Sequence, residues 1–152
     1  MAKIRFHYSG VPSLGLDYQQ LELLIDQIFQ HEKIGYHSIS VIFTTDEELL
    51  NMNRKFLDHD DYTDVLTFTM NQVGKRVMGE IYISIDRVKE NACLFRVPVA
   101  DEIIRVVIHG NLHLCGYTDH NAEFKADMTS RENYYLNMYK SQDRSTWNIK
   151  KL

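Results

Sequence analysis

The chain has 152 residues, 44% hydrophobic and 25% charged, with a formal net charge of −4. That length suits one domain, expected over 1–152, burying roughly two-thirds of its unfolded surface, while two cysteines exclude a disulfide scaffold. No apolar run is long enough to cross a bilayer and no secretory leader is visible, so a cytoplasmic protein without a membrane partner is expected.

Ile4 to Tyr8 alternates apolar and polar, as a half-buried strand does. Residues 17–33 carry Leu21, Leu24, Ile25, Ile28 and Phe29 at helical spacing, and Gly35 follows as a stop. Ser38 to Phe43 alternates again. Thr45 with Glu48 forms a capping-box pattern that opens a short helix through about Phe56. The segments 64–70 and 77–85 read as two paired strands around the NQVGKR turn. A helix is expected over 86–96, and a second from just after Pro98 to Cys115, ended by Gly116. The last helix covers about 122–139 with Asn121 as N-cap, and residues from about 140 to 152 read as a loosely held polar tail. This mixed order predicts an α+β fold, a single compact domain with one small mixed sheet packed by helices.

The stretch HGNLHLCGYTDH, 109–120, carries the chemistry. Apolar residues cover more than half of the 99–115 helix and leave one polar stripe of Glu102, Arg105, His109 and His113. Such a stripe faces either water or a cleft. His109 and His113 are one turn apart, and Gly116 breaks the helix so that Asp119 and His120 return within reach. Imidazole and carboxylate donors suit zinc, and a three-donor site leaves a fourth position for water. Gly110 stands where the H-E-x-x-H motif has its general base, so any base lies elsewhere.

These residues resemble the signature of the YbeY family, metal-dependent endoribonucleases of ribosomal RNA maturation, written H-G-x-L-H-L-x-G-Y-D-H. TDVLTF (63–68), GEIYIS (79–84) and ELLNMN (48–53) match further family segments in the same order. The resemblance implies a zincin-like metal-binding helix beside a small sheet and one Zn²⁺ per chain held by three ligands. It further implies single-strand cleavage at the 3′ end of small-subunit ribosomal RNA and a part in ribosome quality control. The partner is then ribosomal RNA or the small subunit, with no organic cofactor. The ungapped register gives His109, His113 and Asp119 as ligands, and His120 is the alternative if the turn absorbs one extra residue. The family arginine falls on Leu57, and neither Arg54 nor Lys55 matches it by register, so no catalytic arginine carries over. A zinc hydrolase of another substrate and a non-catalytic, metal-braced ribosome-assembly factor are the alternative functions.

Other polar residues have plainer readings. Thr63 and Asp64 suit structural work at a strand start, with a cleft-lining role as the alternative. Glu80 fits equally a substrate-facing acid or the exposed side of a strand. His59 reads as a loop histidine, Cys93 and Cys115 as packed thiols, and Met128 and Glu132 as one helical face. The local basic clusters read as solvated surface, though one of them would serve an RNA partner.

Overall fold

The computed structural model describes residues 3–58, 62–71 and 76–141. Among these residues four strands, β1 (Lys3–Tyr8), β2 (Tyr36–Thr44), β3 (Val65–Asn71) and β4 (Val77–Ser84), lie in the order β1-β2-β4-β3. β1 and β4 each pair parallel with β2, and β3 pairs antiparallel with β4, so the sheet is mixed as expected. Among the described residues five helices surround it: α1 (Tyr18–Glu32), α2 (Asp46–Leu57), α3 (Ile85–Phe95), α4 (Val99–Leu114) and α5 (Ala122–Ser141).

Local chemistry sets the helix starts. The side chains of Asp17, Thr45 and Ser84 accept from the backbone N–H groups of Gln20, Glu48 and Arg87, and Asn121 accepts from Phe124 N–H at 2.8 Å. These caps satisfy donors that the first helical turn leaves without partners. The final helix runs to Ser141, so the first two residues of the expected tail are helical. The remainder of that tail, His59 and the turn residues 72–75 lie outside the described residues.

One face of the sheet carries Ile39, Val41, Phe43, Ile81 and Ile83, all fully buried. α4 lies across this face because two glycines let backbone approach backbone. A Cβ on Gly110 would stand 2.6 Å from Ile81 Cγ2, and one on Gly79 would stand 2.7 Å from Leu114 Cδ1. Ile103, Val107, Ile108 and Leu112 of α4 fill the space between sheet and helices. α2 packs on the opposite face, where the Phe56 and Phe68 rings meet at 6.0 Å. Glu80 belongs to that opposite face, accepting from Tyr82 OH at 3.0 Å, so it is no part of the histidine cleft. Cys93 is exposed rather than packed, because it falls on the outer side of α3. No helix among the described residues is long and apolar enough to cross a membrane.

Candidate metal centre

The polar stripe of α4 faces a cleft closed by α5 and by the start of β3. Glu102 is buried, and His109 and His113 are half-buried with their rings 4.5 Å apart. After α4, Gly116 adopts φ +107°, a conformation glycine takes without strain, and the chain turns back over the helix end. That turn brings Asp119 Oδ2 to 3.6 Å from His109 Nε2 and 3.7 Å from His113 Nε2. The two Nε2 atoms are themselves 3.0 Å apart. These edges bracket the roughly 3.3 Å that separates two donors of a tetrahedral zinc site with bonds of about 2.0–2.1 Å. His120 goes elsewhere: its ring is exposed and stands edge-on to Phe124 at 5.8 Å.

The opposite edge of each imidazole is anchored. His113 Nδ1 donates to the Tyr117 carbonyl at 3.0 Å, and His109 Nδ1 meets Glu132 Oε2 at 2.5 Å. A carbonyl and a carboxylate only accept, so both rings carry their proton on Nδ1 and turn an Nε2 lone pair inward. Two lone pairs and a carboxylate oxygen then face one point. That point calls for a cation, either a proton or a metal, and the three donors could hold one metal ion.

The anchors are anchored in turn. Glu132 Oε1 accepts from Arg105 at 3.1 Å. The Tyr117 hydroxyl donates to Glu32 Oε1 at 2.8 Å, and Tyr135 of α5 donates to Glu32 Oε2 at 2.5 Å. One carboxylate at the end of α1 therefore ties the site turn to α5.

A cavity of about 410 Å³ opens beside the donors, with Asp64, Glu102, Arg105 and Lys125 in its wall. Burial pushes the Asp64 carboxyl up, with the nearby His109 charge pulling the other way. Burial and then the neighbouring Asp64 charge raise Glu102. For His109, burial lowers the pKa, but the Glu132 hydrogen bond and charge outweigh it and the net shift is upward. His113 is lowered by burial and then by the His109 charge.

Asp64 fits both of its readings. Its backbone does the strand-start work, the carbonyl accepting from Ser84 N–H at 2.9 Å, while its side chain lines the cavity. Glu132 is the residue that sequence reasoning missed, since a single helical face does not account for a carboxylate aimed at His109. The cations in the cavity wall are Arg105 and Lys125; Leu57, where the family arginine would fall, is 43% exposed at the end of α2.

A mixed sheet crossed by a helix that presents two imidazoles, with a carboxylate returning from the next turn, defines an α+β protein whose metal-binding helix is zincin-like and whose three donors could hold one metal ion. The comparisons narrow this. The family model described as Endoribonuclease YbeY matches residues 13–140, and the chain belongs to that family. An Endoribonuclease YbeY of Cytophaga hutchinsonii is 44% identical over 121 residues, 80% of this chain and 85% of the relative. One of Chlorobium limicola is 36% identical over 126 residues, 83% of this chain and 87% of the relative. A Thermotoga maritima protein solved in solution is 31% identical with a TM-score of 0.59, covering 94% of this chain and 93% of that one.

Proposed function

We propose that this chain is a zinc-dependent endoribonuclease that cuts single-stranded RNA. Its place is the 3′-end maturation of small-subunit ribosomal RNA and ribosome quality control in the cytoplasm, with ribosomal RNA or the small subunit as partner. Family membership supports the RNA substrate. The observation that carries the metal is the pair of inward Nε2 atoms, each fixed by an acceptor on its other nitrogen, beside the Asp119 carboxylate. His109, His113 and Asp119 are the proposed ligands of one zinc ion.

Bound there, zinc supplies Lewis-acid polarisation of a phosphoryl oxygen and a water acidified toward neutrality. The chain does the rest. Glu132 and the Tyr117 carbonyl hold the imidazoles in the binding tautomer. Arg105 keeps Glu132 in place. Asp64, half-buried in the same cavity wall with its carboxyl raised, is placed to take a proton from an attacking water, the role that Gly110 cannot fill. Lys125 offers a cation for the RNA backbone.

Cleavage of a ribosomal RNA fragment, with and without chelator, tests the reading, with zinc content measured in parallel. Chelation should abolish cleavage and zinc should restore it. Cleavage that survives full removal of metal would overturn it. Accumulated precursor RNA in a deletion strain, rescued by His109→Ala, would point instead to a non-catalytic assembly role.

A further inference from the structure

Two cavities adjoin the turn that carries Asp119, and the first of them has two of the three donors in its wall. The first, of about 410 Å³, has His109 and Asp119 in its wall together with Asn91, Phe95, Arg105 and Lys125. The second, of about 500 Å³, is lined by Tyr117, Thr118, His120, Phe124 and Asp127, and so meets the residues directly before and after Asp119. The first turns of α5 divide them. Lys125 faces one cavity, while Phe124 and Asp127 face the other.

Each cavity displays an aromatic ring that the core does not use. Phe95 is 64% exposed and Phe124 is 43% exposed. Neither ring sits on a loop tip. Phe95 is the last residue of α3, and Phe124 lies in the first turn of α5, with the His120 ring edge-on to it at 5.8 Å. A large ring left in water on a helix forgoes burial that would otherwise stabilise the fold, so its position needs a reason. The neighbours supply one. Asn91 and Lys125 accompany Phe95, and Lys125 forms no ion pair with a described residue. An amide, an ammonium and an exposed ring on the wall of a reactive cleft are the groups that bind a nucleotide. The ring stacks on the base whatever its identity, and the cation meets a phosphate. A protein partner would prefer one continuous apolar face, whereas these rings stand in two separate cavities, each with charged side chains in or beside its wall.

Resting on the endoribonuclease reading, we propose that Phe95 and Phe124 are base-stacking platforms. They hold the two nucleotides that flank the scissile phosphodiester of single-stranded RNA, one in each cavity. The strand then crosses the turn at Asp119, which places the phosphate between the platforms at the donor triad. Both phenylalanines are positioning residues. They carry no proton and hold no metal. Paired bases cannot splay onto two separated rings, so the arrangement selects single strands over duplex.

The test uses a fluorescein-labelled single-stranded RNA oligonucleotide with wild type, Phe95→Ala, Phe124→Ala and Phe95→Tyr. Cleavage kinetics, binding by anisotropy and metal content are measured on each. Each alanine variant should raise KM and the RNA Kd about five- to a hundredfold. Its kcat should change less and its metal content should match wild type, while Phe95→Tyr keeps the platform and behaves as wild type. Oligonucleotides with one abasic position stepped through the cut site assign the platforms. An abasic nucleotide that weakens wild type should be silent in the variant lacking its ring, at a different position for each variant. Unchanged KM and Kd in both alanine variants, on RNA that wild type cuts, would overturn the platforms and leave the endoribonuclease reading standing. A wild type that neither binds nor cuts the oligonucleotide would overturn both.

Discussion

Glu132 grips His109 from the side away from Asp119: its Oε2 lies 2.5 Å from Nδ1, while its Oε1 accepts from Arg105 at 3.1 Å. The carboxylate is largely buried in the middle of a cation–acid–imidazole chain, so its charge acts on the ring with little screening. Glu132→Ala should therefore weaken zinc affinity by roughly 10–100-fold while the fold persists. Zinc competition titrations would read this directly. Equal affinity in wild type and variant would remove Glu132 from the site.

The histidine pair was legible in the sequence, because i, i+4 spacing on an apolar helix is a local pattern that needs no tertiary knowledge. Caps at Thr45 and Asn121 were legible for the same reason. Glu132 was not, since it meets His109 only after α5 folds back over α4. One signal was available. Met128, Glu132, Tyr135 and Leu136 are the buried residues of α5, so a carboxylate sits in the core-facing stripe of a helix otherwise turned to water. Glu32, reached by tyrosines 85 and 103 residues away, carried no such mark.

Asp119 and His120 should separate cleanly. The Asp119 carboxylate faces both Nε2 atoms, whereas the His120 ring leans on Phe124. Asp119→Ala should lose most of its zinc in elemental analysis, and His120→Ala should keep it. The reverse outcome would move the third ligand one residue along the turn.

Asp64→Asn should retain zinc and lose turnover. The side chain lies in the cavity wall with His109, and burial raises its carboxyl, which makes it a stronger proton acceptor than an ordinary carboxylate. The amide cannot accept a proton there. A kcat loss of about 10²–10⁴-fold at unchanged zinc content is expected. A variant cutting RNA at the wild-type rate would assign the base elsewhere.

Gly110→Ala tests why the H-E-x-x-H base is missing. The position after His109 faces β4, and an added Cβ would stand 2.6 Å from Ile81 Cγ2. A methyl group there forces α4 off the sheet, costing about 1–3 kcal/mol. Thermal unfolding should show a Tm several degrees lower, and Ile81→Ala in the same chain should recover part of it. No change in Tm would mean the helix has room that this packing denies.

Zinc affinity should depend on pH in a way that the anchors set. Zinc needs a bare Nε2 on His109, and a proton competes for that atom. Burial alone would weaken the proton, but the Glu132 hydrogen bond and charge reverse this and raise the pKa above its ordinary 6.5. A raised imidazole pKa keeps the proton in place to higher pH, so zinc affinity must climb as pH rises through and beyond the usual imidazole range. With one proton displaced, the slope is about tenfold per pH unit below the His109 pKa and flattens above it. Glu132→Gln removes the charge that holds the proton while keeping an oxygen that can accept from Nδ1. Its plateau should therefore begin at lower pH than in wild type. Zinc dissociation constants measured across the range from about pH 6 to about pH 8.5 would show both curves. A wild-type affinity already flat at the ordinary imidazole value would show that Glu132 does not hold a proton on His109.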